Sequence, residues 1–536
     1  MESSIKLQVE PRFVKEEVVD GQRIRPFQKG TLDAIKNSDA KIILVEAPVG
    51  SGKSYIIRNL IMDEYFNKKA IVLTYPTKIL MDAQVGAMKK DLSESMEVAV
   101  WPEDEFVKNG INIFNYSSSS LVRYLQESGI SVENLDKSEL LKNIFVQLSF
   151  HSPREAIVTS PDVLWLLVDR RVYRGSKRLQ LFLKNAFVFF DEFHLYSNLS
   201  NFPKLVDDLL ETIASKVILL SATPYHSKEL EEVINKYGCK EISFSKSVAK
   251  SEDGGKIFNY QLDVEIHQFR YTRKEETLRK LSELIPEIEK PAAVIFDSVF
   301  RLQHLKREIE KMFGNQYKFF EWSGMEKSRT FELDDKTVIL GTSAIEVGID
   351  MQFKSLITEV SYWTSAIQRI GRVGRKSKGK AILFTNRDFV PYVEDIAFSR
   401  DSFENEIVKK ALRDPIGKLV SGEMFRGDGY NFVLKDSETQ RVIIYSESLF
   451  AMYDIENCER GWRTLDMEEK RDVLKEFEIG KEEIEKILLY DRILPLWGAV
   501  VGRLRNEYCD VKVKPPDKEN KTLYIIADEI HEFYGA

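Results

Sequence analysis

A short glycine-rich segment follows an apolar run near the start of the chain. Residues 47–54 read Ala-Pro-Val-Gly-Ser-Gly-Lys-Ser, which is a P-loop pattern with Ala in place of the first glycine. The run before them, Ile42–Leu44, is apolar throughout. Glycines let backbone N–H groups converge on phosphate oxygens, and the N-terminus of a following helix adds its dipole. In such a loop Lys53 reaches the β- and γ-phosphates and the Ser54 hydroxyl binds magnesium. The backbone contacts are expected from Gly50, Ser51 and Gly52. The alternative is an ordinary Gly-Ser turn.

An acidic pair follows a second apolar run. Phe187–Phe190 leads directly into Asp191 and Glu192. Sheets of the α/β class bind ligands at the carboxyl ends of their strands, and this pair follows such a strand. We expect Asp191 to hold magnesium through water and Glu192 to polarise the water that attacks a phosphate. His194 is either part of this machinery or a structural histidine with satisfied hydrogen bonds.

A basic segment later in the chain reads Gln-Arg-Ile-Gly-Arg-Val-Gly-Arg, from Gln368 to Arg375. Arg372 and Arg375 are three residues apart and share one face of a helical turn. Planar guanidinium groups suit bidentate phosphate contact. If two domains close on each other, these arginines become fingers for the γ-phosphate of bound ATP. The alternative is a solvated, glycine-rich basic loop.

These residues need elements that hold them, and the chain supplies short apolar runs that alternate with stretches of helical spacing. Such runs are typical of parallel strands covered on both faces. The first series comprises Ile42–Val45, Ala70–Thr74, Ala156–Thr159, Phe187–Phe190 and Lys216–Leu220. The second begins near Gln261 and continues through Ala292–Phe296, Thr337–Leu340, Leu356–Val360 and Ala381–Phe384. The pattern predicts an α/β fold with two consecutive parallel-sheet domains.

Composition shifts indicate where these domains begin and end. We predict a first domain over residues 1–245, with an insertion at about 91–155, and a second over 246–400. The polar segment 245–256 has the composition of a flexible linker. The alternation fades after about residue 399, which favours a mixed C-terminal accessory domain over 401–536.

Composition also narrows the class of protein. The 536 residues are 43% hydrophobic and 30% charged, with a net charge of −7, so the chain is not a polycation. Three scattered cysteines argue against a zinc ribbon or a disulfide scaffold. No signal peptide or membrane-length apolar run is evident, so we expect a cytoplasmic protein with no membrane partner. Nucleic acid would need a local basic groove. The candidate cluster is Arg170, Arg171, Arg174, Lys177 and Arg178, with a solvated helix face as the alternative.

Taken in order, these segments resemble superfamily two helicases over about residues 20–400. The resemblance implies two tandem RecA-like domains that use ATP and magnesium. It implies adenine recognition by Arg25 and Gln28, ribose contact by Gly348 and Asp350, and a catalytic set of Lys53, Asp191, Glu192, Gln368, Arg372 and Arg375. It implies coupling through His194, Ser221 and Thr223. The implied nucleic-acid contacts are Pro76, Thr77, Lys78, Thr159, Asp162, Ser298, Ser323 and Thr342.

Within that superfamily the sequence is similar to the CRISPR-associated helicase of type I systems. The residues that carry this likeness include the Asp-Glu-Phe-His run at 191–194, Ser221–Pro224, and Ser323 followed by Arg329. Members of that family often carry a fused metal-dependent nuclease of the HD type. This chain contains no His-Asp dipeptide, and the stretch before the P-loop is expected to be too short for such a domain. We therefore expect a separate helicase subunit that is not itself a nuclease.

The resemblance implies an ATP-dependent single-stranded-DNA translocase or helicase of CRISPR interference. Its implied partners are single-stranded DNA, a guide-RNA interference complex and a separate HD-type nuclease subunit, and the chain alone is expected to be monomeric. Two alternatives stay open. One is an RNA helicase of the histidine-bearing, DEAH-like group, because the backbone-gripping residues do not separate RNA from DNA. The other is a nucleotide-gated subunit that recruits a nuclease without unwinding.

Overall fold

Short apolar strands form a parallel sheet in each of the two units of the computed structural model. The first unit is Arg12–Phe258, and the second comprises Met1–Pro11, Asn259–Glu346 and Met351–Ala536. The structure describes residues 3–19, 22–48, 50–67, 69–116, 120, 154–168, 184–196, 202–212, 214–224, 227–269, 271, 273–297, 299–323, 333–346, 351–412, 431–435, 442–446, 465–476, 481, 484–485, 488, 512–513 and 523–524. This is the two-unit α/β architecture that the sequence predicts.

The strands of the described residues are numbered in chain order. They are β1 (Ser3–Val9), β2 (Arg12–Val14), β3 (Glu17–Val19), β4 (Gln22–Ile24), β5 (Ile42–Glu46), β6 (Ala70–Thr74), β7 (Val98–Trp101), β8 (Ile111–Asn115), β9 (Arg154–Thr159), β10 (Ala186–Asp191), β11 (Ala214–Ser221), β12 (Cys239–Ser243), β13 (Val248–Ala249), β14 (Lys256–Asn259), β15 (Leu262–Gln268), β16 (Ala292–Ile295), β17 (Lys318–Trp322), β18 (Thr337–Gly341), β19 (Ser355–Glu359), β20 (Gly379–Thr385), β21 (Ala397–Phe398), β22 (Asn431–Lys435), β23 (Val442–Ser446), β24 (Lys512–Val513) and β25 (Leu523–Tyr524).

Helices connect most of these strands. They are α1 (Pro26–Asn37), α2 (Lys53–Met62), α3 (Lys78–Ser93), α4 (Pro161–Val168), α5 (Phe202–Thr212), α6 (Lys228–Tyr237), α7 (Lys274–Glu287), α8 (Val299–Phe313), α9 (Trp363–Ile370) and α10 (Met467–Glu476). Between α9 and α10, a π-helix (Phe403–Val408) continues the single helical turn Arg400–Ser402 and leads into Lys409–Ala411. None of the described helices combines the length and apolar composition needed to cross a lipid bilayer.

The first sheet has the strand order β12-β5-β11-β10-β6-β9-β8-β7. Every neighbouring pair in it is parallel. Strand β6 is buried along its whole length, and so are the first five residues of β10. Such strands read as continuous apolar runs because helices cover both faces of the sheet. Strands β5, β10, β6 and β9 are therefore near neighbours in this sheet. They are the strand before the P-loop, the strand that ends at Asp191, the strand before Pro76 and the strand that begins at Arg154.

The second sheet has the order β17-β18-β16-β19-β20-β15-β1-β21. It is parallel from β17 to β15, whereas β1 pairs antiparallel with β15 and parallel with β21. The first domain predicted over 1–245 therefore differs from the structure at its start. Ile5, Leu7 and Val9 alternate with polar residues, and Leu7 and Val9 are buried. This alternation gives β1 a single apolar face, which an antiparallel strand uses to join a sheet.

The flexible linker predicted over 245–256 is wrong, because this segment is ordered in the first unit. Strands β13 and β14 flank β2 in a three-stranded sheet. The backbone N–H of Phe27 donates to Ser247 Oγ at 2.9 Å, and that of Lys15 donates to the Ser247 carbonyl at 2.8 Å. These bonds tie the polar segment to the start of α1. Small polar residues served here as hydrogen-bond partners rather than as flexible spacers.

The insertion predicted at about 91–155 is in part an extension of the first sheet. Strands β7 and β8 lie in this range and continue the sheet beyond β9. Their short runs, Val-Ala-Val-Trp and Ile-Asn-Ile-Phe-Asn, are apolar enough to pair there. Residues 121–153 lie outside the described residues. The accessory domain over 401–536 stays a prediction, since the described part of it is small; within that part, β22 and β23 form an antiparallel hairpin.

Strand β9 carries a carboxyl group that the fold buries. Glu155 lies between Ala70 of β6 and Asn112 of β8, and its Oε1 has no hydrogen-bond partner among the described residues. Burial raises the pKa of Glu155 from 4.5 to about 8. The folded state therefore binds a proton that the unfolded chain releases above about pH 4.5. Its contribution to stability is present below that pH and is lost as the pH rises towards 8.

We predict that Glu155→Gln raises the stability of the first unit relative to the parent, and that the gain grows between pH 5 and pH 8. The physical reason is that a neutral amide does not have to be deprotonated in a buried site. Urea unfolding at a series of pH values measures the effect. Glu94→Gln, an exposed position at the end of α3, is the matched control. A gain that is equal at pH 5 and pH 8 would contradict the assignment.

Candidate functional site

The predicted P-loop connects β5 to α2. Gly50 and Gly52 have φ values of 78° and 89°, which lie in the left-handed region that glycine adopts without strain. A Cβ on Gly52 would lie 2.6 Å from Nε2 of Gln28, so a side chain at this position would displace the Gln28 amide. Ser51 is fully buried, and its Oγ has no hydrogen-bond partner among the described residues. The loop has the close backbone approach that a phosphate cradle requires.

Two residues at the start of α1 contact this loop. The Gln28 side chain donates from Nε2 to the Gly52 carbonyl at 3.0 Å, and its Oε1 accepts from the Arg25 backbone N–H at 2.8 Å. The Arg25 guanidinium donates to the Ser51 carbonyl at 2.5 Å and lies 5.3 Å from the centre of the Phe258 ring. Burial lowers the pKa of Arg25, and the nearby Glu16 opposes that shift. The segment implied to recognise adenine is therefore in direct contact with the loop.

The acidic pair lies beside Lys53. The Lys53 ammonium is 2.8 Å from Oε1 of Glu192 and 3.9 Å from Oδ1 of Asp191. Burial raises the pKa of Asp191 to about 6, and the positive charge of Lys53 opposes that rise. Glu192 has a φ of 50°, an uncommon conformation for a residue with a side chain. Backbone strain of this kind is concentrated at functional sites, where the surrounding fold maintains it.

His194 joins the ends of two neighbouring strands. Its Nδ1 is 2.8 Å from Oγ of Ser221, the last residue of β11, and 3.6 Å from Oε2 of Glu192. The Ser221 hydroxyl also accepts a hydrogen bond from the Thr223 backbone N–H at 2.9 Å. His194 is buried, with 7% of its surface exposed. The hydrogen bond with Ser221 satisfies His194 as a structural residue, and it also connects His194 to the segment implied in coupling. The two interpretations of His194 are therefore compatible.

The residues implied to grip nucleic acid in the first unit follow two adjacent strands. Pro76 and Thr77 come after β6, and Thr159 ends β9. Thr77 caps α3, because its Oγ1 accepts from the Leu80 backbone N–H at 3.2 Å. Lys78 is exposed at the first position of that helix, and Thr159 is fully buried. Asp162 lies in the first turn of α4.

In the second unit, the predicted residues lie after β17 and β18 and on α9. Ser323 Oγ donates to Oε1 of Glu321 at 2.7 Å, and the Thr342 backbone N–H donates to the Trp322 carbonyl at 3.2 Å. Gln368 is buried in α9. Three of the predicted residues, Ser298, Gly348 and Asp350, lie outside the described residues, as do the basic cluster at 170–178 and Arg329.

The two predicted arginine fingers have polar contacts within their own unit. Arg372 is 5% exposed, and its Nη2 donates a hydrogen bond to the Glu346 carbonyl. Arg375 donates from Nε to the Gly371 carbonyl at 2.7 Å and is half-buried. Both lie beyond the end of α9, so the prediction that they share one face of a helical turn is wrong; Gly374, with a φ of 73°, lies between them. Their hydrogen bonds nevertheless define the geometry of this segment, which differs from the solvated-loop alternative.

Sequence reasoning missed the residue on which this segment depends. Arg369 is 2% exposed and donates from Nε to Oε1 of Glu346 at 2.6 Å and from Nη1 to Oδ1 of Asp297 at 2.7 Å. The Asp297 backbone N–H donates to Oε2 of Glu359 at 3.0 Å, and Arg301 lies 2.7 Å from Oε1 of Glu359. Burial raises the pKa of Glu346 and of Glu359, and their arginine partners oppose both shifts.

Glu359 is the residue in the sequence that could have indicated this network. It lies in the run Leu356–Val360, which is predicted to be a strand covered on both faces, and a carboxylate in such a strand requires a cationic partner. The network joins the ends of β16, β18 and β19 to α9 through Arg369 and to α8 through Arg301.

The first unit fits a nucleoside triphosphate and its magnesium ion. The glycines at 50 and 52 open the loop to phosphate oxygens, and Ser51 Oγ faces no competing partner among the described residues. Ser54 and Asp191 offer a hydroxyl and a carboxylate, which are the hard oxygen ligands that Mg²⁺ prefers. Ser54 and Asp191 would hold the ion, and bound Mg²⁺ would supply charge neutralisation at the phosphates.

We predict that Arg369→Met destabilises the second unit by about 3–5 kcal/mol, because it leaves the buried Glu346 and the half-buried Asp297 without their shared cation. Thermal unfolding measures the loss. Arg279→Met is the matched control, since Arg279 is 47% exposed and its pair with Glu283 is a surface ion pair. We expect that control to change stability by less than about 1 kcal/mol. Equal effects of the two substitutions would contradict the role given to Arg369.

Matches to two protein families fall separately within the two units. The DEAD/DEAH box helicase family matches residues 25–233, within the first unit. The family described as CRISPR-associated nuclease/helicase Cas3, C-terminal, matches residues 272–378, within the second.

Two curated relatives carry related names. A Methanocaldococcus jannaschii protein described as a CRISPR-associated nuclease/helicase Cas3 is 23% identical over 412 residues, which is 71% of this chain and 50% of that protein. The CRISPR-associated helicase Cas3 of Thermoproteus tenax is 28% identical over 131 residues, 23% of each chain. The chain therefore spans about half the length of the first relative and about a quarter of the second.

Solved helicase structures are similar at low identity. The DUF1998 helicase MrfA bound to DNA gives a TM-score of 0.46 at 15% identity, covering 72% of this chain and 51% of that one. The DEAD-box helicase Mss116 bound to ssRNA and UDP-BeF gives 0.44 at 16% identity, covering 90% and 92%.

The two family matches occur in the order in which the motifs occur, one in each parallel-sheet unit. They confirm the resemblance drawn from the motifs. The chain is similar to DEAD/DEAH box helicases in its first unit and to Cas3 nuclease/helicases in its second, which is consistent with a helicase of the Cas3 type.

Proposed function

We propose that this chain is an ATP-dependent single-stranded-DNA translocase and helicase of a type I CRISPR interference system. One observation carries the proposal. Lys53, Asp191 and Glu192 meet at the carboxyl edge of the first sheet, beside a loop with two left-handed glycines. This arrangement supports ATP hydrolysis in which Lys53 holds the phosphates and Glu192 orients the attacking water.

The contact of Lys53 with Glu192 has a chemical consequence. In this structure the ammonium neutralises the carboxylate that is proposed to act as base. When Lys53 turns to phosphate oxygens, Glu192 loses its cationic partner and becomes a better hydrogen-bond acceptor for water. Glu192 is thus proposed to act as a base only after Lys53 has bound the phosphates of a nucleoside triphosphate. This would prevent Glu192 from activating water in the nucleotide-free enzyme.

Arg372 and Arg375 are proposed to stabilise the γ-phosphate as it is transferred, with Gln368 on the same segment. Their hydrogen bonds to the backbone at Glu346 and Gly371 support a defined geometry for the segment. Since Lys53 is in one unit and the arginines are in the other, hydrolysis is proposed to require closure of the two units. Closure would alternate the grip of Thr77, Thr159, Ser298 and Thr342 on the nucleic-acid backbone.

Coupling between these events is proposed to run through His194. Its contact with Ser221 and its proximity to Glu192 link the hydrolytic base to the end of β11 and to Thr223. A change in the charge of Glu192 would alter this hydrogen-bonded path directly. The same residues would thereby report the state of the nucleotide to the nucleic-acid side.

The proposed track is single-stranded DNA, unwound for an HD-type nuclease on another chain and recruited by a guide-RNA interference complex. The names of the curated relatives support the CRISPR assignment. An RNA track and a recruiting subunit that does not unwind are the two competing outcomes of the tests below.

We predict that Lys53→Ala abolishes ATP hydrolysis and weakens nucleotide binding. Glu192→Gln should bind nucleotide normally but lower kcat by about 10²–10⁴-fold, the usual loss for a general base. Arg375→Ala should lower kcat far more than it weakens nucleotide binding, because a finger acts on the transition state. The measurements are steady-state ATPase rates and equilibrium binding of a fluorescent ATP analogue. Glu229→Gln, exposed on α6, is the control. Parental turnover by Glu192→Gln would refute the assigned base.

The track and the coupling need separate assays. We expect single-stranded DNA to stimulate ATPase activity more than RNA or duplex DNA, and we expect ATP-dependent strand displacement. Stimulation mainly by RNA would replace the proposed track with the RNA alternative. Brisk hydrolysis with no displacement would favour the recruiting subunit.

A further inference from the structure

A hydrogen bond joins the P-loop helix to a helix that follows a different strand. Ser54, the second residue of α2, donates from Oγ to Oε1 of Gln84 at 3.1 Å. Gln84 lies in the middle of α3, 30 residues along the chain. The role proposed above for Ser54 is that of a magnesium ligand, whereas Gln84 has no role in the proposed mechanism.

The chemistry of a metal-binding hydroxyl gives this contact a meaning. A serine hydroxyl that ligates a cation uses an oxygen lone pair, and its proton must point away from the ion. An acceptor on the far side of the proton fixes that orientation and makes the oxygen more basic. Outer partners of this kind contribute strongly to metal affinity. The Gln84 carbonyl oxygen is such an acceptor.

Helix α3 is held firmly enough to position Gln84. Thr77 caps its first turn, and Met81, Val85, Met88 and Leu92 are buried in the hydrophobic core of the first unit. These apolar residues recur at helical spacing, so one face of α3 packs on the sheet along most of its length. A side chain on a packed, capped helix has a well-defined position, which a positioning residue requires.

We propose that Gln84 is a positioning residue for magnesium: it accepts a hydrogen bond from the Ser54 hydroxyl and thereby directs an oxygen lone pair of Ser54 towards the ion. The inference rests on the proposed function, since it assumes that Ser54 ligates the magnesium bound with ATP. It also means that α3, whose N-terminal Thr77 is proposed to grip the nucleic-acid backbone, contacts a magnesium ligand directly.

The test is a titration of Mg²⁺ against binding of a fluorescent ATP analogue to the full chain, together with binding in EDTA. Gln84→Leu removes the acceptor, and Gln84→Glu retains one. We expect Gln84→Leu to raise the half-saturating Mg²⁺ concentration about 10-fold or more, in the range found for outer-shell partners. Nucleotide affinity in EDTA should be unchanged. Gln84→Glu should need no more Mg²⁺ than the parent.

Two controls isolate the effect. Lys90→Leu changes an exposed residue on the same helix and should leave the titration unchanged. In a Ser54→Ala background, Gln84→Leu should have no additional effect on the half-saturating concentration, because the hydroxyl it orients is gone. Thermal unfolding of each variant verifies that α3 is intact.

Several results would overturn the inference. These are a parental titration for Gln84→Leu, an equal loss of nucleotide affinity in EDTA, a Gln84→Glu variant that behaves like Gln84→Leu, or an additive effect in the Ser54→Ala background. Failure of the proposed function looks different. In that case the parent would bind nucleotide independently of Mg²⁺ and Lys53→Ala would bind as the parent does.

Discussion

Parallel register is the constraint on which the candidate site depends. Lys53 and Glu192 are 139 residues apart in the chain, yet their charged groups are 2.8 Å apart. They meet because β5, β11 and β10 are consecutive parallel strands, so the loops after them emerge at one edge of the sheet. The same rule brings Ser221 to His194 and the residues after β6 close to Asp191. A shift of one strand by one residue would turn its side chains to the other face and separate these groups.

The carboxyl edges of the two parallel sheets carry different sets of charged side chains. In the first unit, the edge is a backbone cradle with one lysine and two carboxylates, and burial raises the pKa of Asp191. In the second, the edge is a network in which Arg369 pairs with Asp297 and Glu346, and Arg301 pairs with Glu359. A buried ion pair contributes little net stability, but the loss of one partner costs several kcal/mol. The second edge is therefore constrained to one arrangement, which is what a segment that presents arginines requires.

Contacts between elements offer two connections from the proposed nucleotide site to the proposed nucleic-acid side of the first unit. One passes through Glu192, His194 and Ser221, at the ends of β10 and β11. The other passes through Ser54 and Gln84 into α3, which Thr77 caps. The first would respond to charge at Glu192, the proposed base, and the second to the hydroxyl proposed as a metal ligand. The first combines a 3.6 Å contact between Glu192 and His194 with a hydrogen bond from His194 to Ser221, and the second is a single hydrogen bond.

The sequence by itself determined the elements and the local motifs of this protein. Apolar runs indicated the central strands, and the glycines at 50 and 52, with Lys53 and Ser54, indicated the cradle, because those features depend on local backbone sterics and on burial of both faces. Tertiary structure alone decided which distant side chains meet. Strand β1 joined the second sheet, the polar segment at 245–256 became ordered against α1, and Gln84 reached Ser54. It also decided that Arg369 would be buried among carboxylates. Such pairings depend on strand order and on side-chain positions that no local pattern encodes, so the sequence could not disclose them.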